Sequence, residues 1–188
     1  MPPKVKITKE EIINTAIDII RSEGIGALNA RRIAAELKCS TQPVFSNFAT
    51  MDDLQQDVIR AAYGRYVGFL QSEFDEGAYP KYKAFGMAYI RFAKEERELF
   101  KLLFMRDRNG EDLTPPPDFD ESVEMIMKAN GVTREIATLM HLEIWLSVHG
   151  IATMMVTSFL ELDEKFVSRM LSDVYHGVRA IHTKENVE

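Results

Sequence analysis

Helix-start signals recur at short intervals in the first part of the sequence, and they constrain the fold more than any other feature. Thr8 and Glu11 have the spacing of a capping box, in which each side chain accepts a hydrogen bond from the other residue's backbone N–H. Asn29, Ser40 and Thr50 are also residue types that cap helix N-termini. Because the last three signals follow each other so closely, the helices between them must be short. Helices of about eight residues are unstable alone, so these must pack against their neighbours.

Apolar residues at helical spacing continue through the rest of the chain. We expect helices from Thr8 to about Gly24, from Ala30 to about Leu37, from the Ser40 cap to about Phe48, and from the Thr50 cap to about Phe74. Further helices are predicted at about 81–95, 96–106, 118–130, 133–160 and 163–182, with breaks at Gly77–Pro80, Arg106–Pro117 and Gly131. No segment alternates with a period of two. The predicted fold is therefore all-α with about nine helices, divided into a head at 1–50 and a helical body at 51–188.

Composition excludes several classes of protein. With 46% hydrophobic and 28% charged residues, the chain is expected to be globular rather than disordered. The N-terminus lacks the apolar region of a signal peptide, and no run of about 20 apolar residues is present, so we expect a cytoplasmic protein that does not span a membrane. Cys39 is the only cysteine, which rules out an intrachain disulfide and a zinc site built on several thiolates. We expect no metal and no cofactor.

The charge is distributed unevenly. Residues 1–60 contain eight lysines and arginines and eight acidic residues, so their net charge is zero and the whole charge of -6 falls on later residues. Screening limits repulsion between an acidic body and a nucleic acid to roughly 10 Å at moderate salt. The negative net charge therefore does not exclude a polyanionic partner for the head.

The two short helices have an apolar side and a polar side. The apolar side is predicted to contain Ile33, Ala34, Leu37, Cys39, Val44, Phe45 and Phe48. The outward side of the third helix is predicted to contain Thr41, Gln42, Pro43, Ser46 and Asn47. This pattern is typical of a helix-turn-helix, whose second helix enters the major groove of DNA. Amide and hydroxyl side chains suit that position because glutamine pairs with adenine and threonine offers both a hydroxyl and a methyl group.

The run ALNARRIAAELKCSTQPVFSNFATMDDL resembles the DNA-binding domain of the tetracycline-repressor (TetR) family of bacterial transcription regulators. The family pattern is approximately T-x-x-x-I-A-x-x-x-G-V-S-x-x-x-L-Y-x-H-F-x-x-K-E-x-L, and Ile33-Ala34, Cys39-Ser40, Val44-Phe45, Asn47-Phe48, Asp52 and Leu54 match it without insertion. The resemblance implies that Arg31, Thr41, Gln42 and Pro43 contact bases and that Phe45 and Asn47 lie along phosphates. It also implies a homodimer on a palindromic operator, usually a repressor released by a small ligand.

Some positions depart from the family pattern. Phe45, Asn47 and Met51 stand where tyrosine, histidine and lysine are usual, so phosphate contacts and salt dependence should be lower than is typical. Lys38 replaces the glycine of the turn, and a left-handed backbone there would cost roughly 1–2 kcal/mol. Lys4 and Lys6, in the N-terminal arm, are candidates to restore some of the lost positive charge.

The body carries a second, weaker resemblance. Trp145, His149 and Gly150 are similar to the Trp-x-x-x-His-Gly signature of one C-terminal subclass of the family, and Trp145 and His149 share a helix face. His149 is either a core histidine or a ligand contact. Candidates for an apolar ligand site are Phe85, Tyr89, Phe92, Phe104, Met125, Trp145 and His149. By analogy with the family, candidates for the dimer face are Ile151, Met155, Phe159, Phe166, Met170 and Val174.

Three function classes follow from these patterns. The first is a ligand-responsive, dimeric, DNA-binding transcription regulator, most often a repressor, with a double-stranded operator and a small apolar ligand as partners. The second is an all-α protein-interaction adaptor whose head has lost DNA binding, an alternative suggested by Phe45, Asn47 and Met51. The third is an enzyme on a helical bundle, for which no nucleophile–base pair, metal cluster or phosphate loop is visible in the sequence.

Overall fold

The structure is a computed structural model that describes residues 7–108 and 119–184, without the side chains of residues 73–76 and 184. Within these ranges the fold is all-α, as predicted, and no strand is present. The helices are α1 (Lys9–Glu23), α2 (Ala30–Glu36), α3 (Gln42–Asn47), α4 (Met51–Glu76), α5 (Lys81–Glu95), α6 (Arg97–Phe104), α7 (Phe119–Asn130), α8 (Arg134–Val156) and α9 (Glu164–Lys184). Most of the predicted proline-rich break, and both Lys4 and Lys6, lie outside the described residues.

Local capping determines where α1 begins and ends. The Thr8 side chain accepts a hydrogen bond from the Glu11 N–H at 3.1 Å, and the Glu11 carboxylate accepts one from the Thr8 N–H at 2.7 Å, which confirms the capping box. The same hydrogen bonds lower the pKa of Glu11. At the other end, Gly24 has φ +82°, a left-handed conformation that glycine adopts without steric cost.

The chain divides into two compact units. The first comprises the described residues of Met1–Gly68 together with Glu96–Arg106. Its core contains residues from α1, α2 and α4, and α6 packs against α1. The side chains with no exposed surface include Ile12, Ile33, Leu54, Leu99 and Phe100. Arg21 on α1 donates two hydrogen bonds to the Glu96 carboxylate, at 2.7 and 2.6 Å, so the start of α6 is bonded to the end of α1.

The second unit comprises the described residues of Phe69–Glu95 and Asp107–Glu188. Its helix α8 packs against α5, α7 and α9. One apolar cluster of this unit is formed by Val123, Ile126, Val132, Ala137 and Met140. Of the described helices, α8 alone is long and apolar enough to cross a membrane by length and composition, and one such helix is not enough to indicate a membrane protein.

The end of α8 corrects the predicted helix 133–160. The helix stops at Val156 because Ser158 adopts a left-handed conformation with φ +58°. The N–H groups of Phe159 and Leu160 then both donate to the carbonyl of Met154, at 2.9 and 3.2 Å, and so end the helix.

Candidate nucleic-acid interface and ligand site

Helices α2 and α3 are joined by a tight turn. The Asn29 side chain caps α2 by accepting a hydrogen bond from the Arg32 N–H at 2.9 Å. After α2, Lys38 is left-handed with φ +51°, as expected for a residue in place of the usual glycine. The Cys39 N–H then donates to the Ala34 carbonyl at 2.9 Å, which closes the turn. A short helix, a turn and a second short helix therefore occur where the sequence predicts a helix-turn-helix.

The start of α3 differs from the prediction. Thr41, not Ser40, occupies the N-cap position, and no side chain caps the helix. Pro43 lies within the first turn, where its missing N–H leaves no intrahelical bond unmade. The N–H groups of Val44 and Phe45 donate instead to the Thr41 carbonyl, at 3.1 and 3.3 Å.

The exposed side of α3 is largely as predicted, with one correction. Gln42 is exposed, and Thr41 and Pro43 are half-buried, while Val44 and Phe48 are in the core. Phe45, predicted to be part of the apolar side, has 53% of its surface exposed. It lies on the outer side because Val44 and Phe48, four residues apart, already occupy the inner side of this short helix. An aromatic ring therefore projects among the residues predicted to face DNA.

Two polar side chains of α3 are bonded to its own backbone. The Ser46 hydroxyl donates to the Gln42 carbonyl at 2.8 Å, and the Asn47 amide donates to the Pro43 carbonyl at 2.8 Å. While these bonds hold, Ser46 has no hydrogen to donate to DNA, and Asn47 has one of its two amide hydrogens left. Thr41 and Gln42 remain as the main polar side chains at the outer start of α3.

Two neighbouring arginines on α2 have different environments. Arg32 forms ion pairs with Glu23 and Glu36, at 2.7 Å each, and these carboxylates raise the pKa of Arg32. Arg31 and Lys38 are exposed. Arg32 therefore has a structural role, whereas Arg31 and Lys38 place positive charge at the surface of the helix-turn-helix.

Helix α4 begins directly after α3 with a second pair of reciprocal hydrogen bonds. The Asp53 N–H donates to the Thr50 hydroxyl at 3.1 Å, and the Thr50 N–H donates to the Asp53 carboxylate at 2.9 Å. This confirms Thr50 as the predicted cap. Lys9 bonds to Asp57 of α4 at 2.6 Å and lies over the Phe48 ring, so it is committed to contacts within the head.

In the second unit, α5 and α8 bring together three residues of the predicted ligand set. The Tyr89 hydroxyl lies 2.8 Å from His149 Nδ1, and the Trp145 ring stacks on the His149 ring with centroids 5.2 Å apart. The Thr153 hydroxyl lies 3.5 Å from His149 Nε2. Burial lowers the pKa of His149, so the ring is neutral near pH 7. A neutral imidazole has one donor nitrogen and one acceptor nitrogen, and here Tyr89 and Thr153 face one nitrogen each.

A second tyrosine–histidine pair joins the same two helices. The Tyr82 hydroxyl lies 3.0 Å from His141 Nδ1, and the His141 ring also meets Phe119 edge-on. Burial lowers the pKa of His141 to about 4 and raises the pKa of Tyr82. The pairing of His141 with Tyr82 was not predicted, because the two residues are far apart in the sequence. No group of three potential metal ligands occurs among the described residues.

The other predicted ligand residues are dispersed. Phe92 is fully buried and packs edge-on against Phe69, with centroids 5.2 Å apart, so it is a core residue of the second unit. Phe85 is buried on α5, and Met125 is half-buried on α7. Phe104 belongs to the first unit, where its ring contacts Tyr66 and Phe100. Within this set, Tyr89, Trp145 and His149 form one cluster.

The predicted dimer residues also divide into two groups. Ile151 and Met155 are each 8% exposed, so they are buried within the protomer and have little surface to offer a partner. Phe159 and Phe166 are 75% and 51% exposed, and Met170 and Val174 are half-buried. The sequence analysis missed several exposed apolar residues, namely Leu139, Leu142, Leu146 and Met154 on α8 and Ile181 on α9. Helix α8 is apolar on most sides, so its sequence did not indicate which side lies outward.

We call the exposed and half-buried apolar residues of these two helices the α8–α9 stripe. It consists of Leu139, Leu142, Leu146 and Met154 on α8, and of Phe166, Met170, Val174 and Ile181 on α9. Within each helix the spacings place these residues on one side. A stripe of this kind is typical of an interaction surface.

Comparison with known proteins identifies the chain. The family described as "Tetracyclin repressor-like, C-terminal domain" matches residues 82–174, which run from α5 to the middle of α9. This match and the solved structures that share the fold support a regulator of the tetracycline-repressor family. It has the fold of a DNA-binding transcriptional regulator, and the proteins that it matches are regulators and not enzymes. No curated protein matches the sequence.

Solved structures of TetR-family proteins share this fold over nearly the whole chain. A TetR-like transcriptional regulator from Rhodococcus sp. RHA1 has a TM-score of 0.64 at 15% identity, covering 93% of this chain and 96% of that chain. A TetR-family member from Streptomyces coelicolor has a TM-score of 0.58 at 18% identity, covering 88% and 96%. A TetR variant from Acinetobacter baumannii AYE in complex with minocycline has a TM-score of 0.59 at 15% identity, covering 94% and 99%.

Proposed function

We propose that the protein is a cytoplasmic, ligand-responsive repressor that binds a palindromic operator as a homodimer. The observation that carries the proposal is the exposed outer side of α3, with Gln42 at the helix start and Arg31 and Lys38 beside it. Between residues 28 and 50 the sequence has three basic residues and one acidic residue, and that acid, Glu36, is paired with Arg32. The head is therefore locally positive where a major groove would lie.

We assign base contacts to Arg31, Thr41, Gln42 and Pro43. Arginine bonds well to guanine, and glutamine bonds well to adenine, while a proline packs against a base edge without needing a hydrogen bond. Ser46 and Asn47 are assigned to the support of α3 rather than to base contacts, because their hydrogen bonds go to the helix backbone.

For the ligand, we propose a small, largely apolar molecule that contacts Trp145 and hydrogen-bonds to the Tyr89–His149 pair. Apolar and aromatic walls with a few polar groups are typical of ligand sites. The chain continues from α5, which carries Tyr89, directly into Glu96 and α6, and Glu96 is bonded to Arg21 of α1. A ligand that displaces α5 would therefore act on α6 and α1, and so on the spacing of two recognition helices.

For the dimer, we propose that the α8–α9 stripe of one protomer packs against the same stripe of a second copy. Two recognition helices must lie about 34 Å apart to enter successive major grooves. Dimerisation through a fixed surface provides this spacing. If the ligand changes the distance between the two recognition helices by a few ångströms, the two heads can no longer bind the operator at the same time.

The test of DNA binding is fluorescence anisotropy with duplexes from the DNA upstream of the gene, at two salt concentrations. Arg31→Ala and Gln42→Ala should each weaken specific binding by about 1–3 kcal/mol, because each removes a base contact. Lys128→Ala on α7 is the control, since it removes a positive charge from an exposed site of the second unit. Unchanged binding in both head variants would contradict the proposed contacts, and no DNA binding at either salt would favour the adaptor alternative.

The test of ligand response uses the same duplexes and a panel of apolar aromatic compounds. A compound that releases the DNA should lose its effect in Trp145→Ala and in His149→Phe, while both variants still bind DNA. Release that is unchanged in both variants would place the ligand elsewhere.

A further inference from the structure

The exposed ring of Phe45 is unusual for its position. It is one turn into α3 and 53% exposed, although it is apolar and although the neighbouring core positions are filled by Val44 and Phe48. Pro43, half-buried, precedes it on the same short helix. Pro43 and Phe45, two positions apart, lie on either side of the outermost polar residues, Gln42 and Ser46, so α3 presents two separate apolar groups beside its polar side.

The polar part of the same surface is small. Ser46 donates its hydroxyl hydrogen to the backbone, and so does one hydrogen of the Asn47 amide. The side chains left to form hydrogen bonds with base edges at the start of α3 are Thr41 and Gln42. Beside these few polar groups, the exposed ring of Phe45 is the largest apolar group that α3 presents.

The charge around this surface indicates a polyanionic partner. Arg31 and Lys38 are exposed, and no acidic residue occurs between Lys38 and Met51. The one acid of α2, Glu36, is bonded to Arg32 at 2.7 Å. An apolar patch bordered by unneutralised positive charge fits a nucleic acid better than an apolar surface of another protein.

We propose that Pro43 and Phe45 recognise the C5-methyl groups of thymine in the major groove, so that the operator half-site has a thymine at each position that these residues contact. This proposal rests on the proposed function. Thymine is the only common DNA base that presents a methyl group in the major groove, and apolar side chains recognise it by contact. Gln42 fits the same kind of half-site, because its amide pairs with adenine.

The recognition predicted here differs from contact with the phosphate backbone. A phenylalanine has no hydroxyl to donate to a phosphate, so the ring of Phe45 gains nothing from the backbone beyond packing. Contact with a methyl group removes apolar surface from water and should change affinity about fourfold for each methyl group buried. The effect should be specific to sequence and independent of salt.

The experiment removes single methyl groups from the DNA and leaves the protein intact. The probe is the tightest-binding duplex that the purified protein selects from a randomised pool, with each thymine replaced in turn by deoxyuracil. The base-pairing hydrogen bonds do not change. We expect an affinity loss of about fourfold at one or two positions in each half-site and none elsewhere, with the same ratios at two salt concentrations.

Protein variants then assign the effect to residues. Phe45→Ala should bind thymine and deoxyuracil duplexes equally at the sensitive position, whereas Ser46→Ala, the matched control one residue away, should keep the fourfold difference. Circular dichroism checks that both variants keep their helices.

The outcomes separate this inference from the proposed function. Specific binding that tolerates deoxyuracil at every position overturns the methyl recognition and leaves the repressor proposal intact. Sensitivity to deoxyuracil that persists in Phe45→Ala overturns the assignment to Phe45. A protein that selects no duplex from the pool overturns both proposals.

Discussion

Side chains three residues earlier accept hydrogen bonds from backbone N–H groups at the starts of α1, α2 and α4. The caps at Thr8, Asn29 and Thr50 were predicted correctly, because a cap depends on residues three positions away. Phe45 was predicted both to join the apolar side and to lie along phosphates, and its exposed ring contradicts only the first of these, since burial depends on which neighbours fill the inner side. Ser40 was predicted as the cap of α3, and the N-cap position is Thr41.

Lys38 provides a test of backbone strain in the turn. Its φ of +51° is unfavourable for a side chain with a Cβ, so Lys38→Gly should stabilise the protein by about 1 kcal/mol. Lys38→Ala is the control, because it removes the same charge and keeps the Cβ. Urea unfolding followed by circular dichroism measures both changes. A glycine variant no more stable than the alanine variant would show that the turn is unstrained.

His141 gives a prediction for the dependence of stability on pH. Its pKa is lowered to about 4 in the folded protein from an ordinary value near 6.5, because the ring is buried. Between these pH values the unfolded chain binds a proton that the folded protein does not. The contribution of His141 to the free energy of unfolding is therefore fully present above about pH 6.5 and is lost as the pH falls towards 4. Since the ring is partly exposed, we expect a loss on the order of 1 kcal/mol between pH 7.5 and pH 5.

The measurement is urea unfolding of the natural protein and of His141→Gln at the two pH values. Glutamine keeps a polar group near the Tyr82 hydroxyl and cannot titrate, so the variant should lose less stability on acidification. His149, whose pKa is also lowered, should keep part of the pH dependence in the variant. An equal loss in both proteins would contradict the assignment to His141.

At the scale of helices, existence and approximate bounds were predictable, while packing partners were not. The bounds of α4, α5 and α7 follow from caps, prolines and glycines within the sequence. That α6 packs against α1, and that Arg21 bonds to Glu96, depends on contacts between residues far apart in the chain. The same holds for α8, whose outward side is set by the positions of α5, α7 and α9.

Glycines within helices give a prediction about α4 and α5. A Cβ at Gly64 or Gly68 of α4 would meet no atom within 4 Å, whereas a Cβ at Gly86 of α5 would lie 3.0 Å from Leu171 Cδ1 and 3.4 Å from Val148 Cγ2. Gly64→Ala and Gly68→Ala should each stabilise the protein by about 0.5–1 kcal/mol through helix propensity.

Gly86→Ala is the matched comparison, because it adds the same group inside a helix. Its gain in propensity is opposed by crowding against α8 and α9, which costs about 1–3 kcal/mol, so we expect lower stability. Thermal unfolding of the three variants measures the difference. If α4 transmits the ligand signal by bending, Gly68→Ala should also weaken ligand-induced release of DNA. A stabilised Gly86→Ala would show that Leu171 moves aside at little cost.

At the scale of the whole molecule, the distribution of charge fits DNA binding by the head, and the exposed apolar surface fits dimerisation through α8 and α9. Residues 1–60 are neutral overall, and the rest of the chain carries the net charge of -6. Among the described residues of α2, the turn and α3, Arg31 and Lys38 are exposed positive charges. The acidic part would repel DNA, which favours contact through the head alone. The composition predicted this division, but the position of the α8–α9 stripe required the fold.

The α8–α9 stripe leads to a prediction about assembly. Leu146 is 61% exposed near the middle of α8, so Leu146→Glu should cost the isolated protomer little. In a symmetric dimer two copies of Leu146 would lose their contacts, about 3–6 kcal/mol together, and two charges would become buried. We therefore expect Leu146→Glu to sediment as a monomer at concentrations where the natural protein is a dimer, and to bind a full operator only as weakly as a single half-site.

Ala129→Glu is the control for that experiment, because it places the same charge at an exposed position of α7, outside the stripe. This variant should remain dimeric and bind the full operator normally. Analytical ultracentrifugation gives the oligomeric state, and anisotropy with full-site and half-site duplexes gives the affinity. A Leu146→Glu protein that stays dimeric would show that the partner packs elsewhere. A monomeric variant with undiminished affinity for the full operator would show that DNA binding does not require the dimer. In that case the ligand could not act by changing the spacing of two recognition helices.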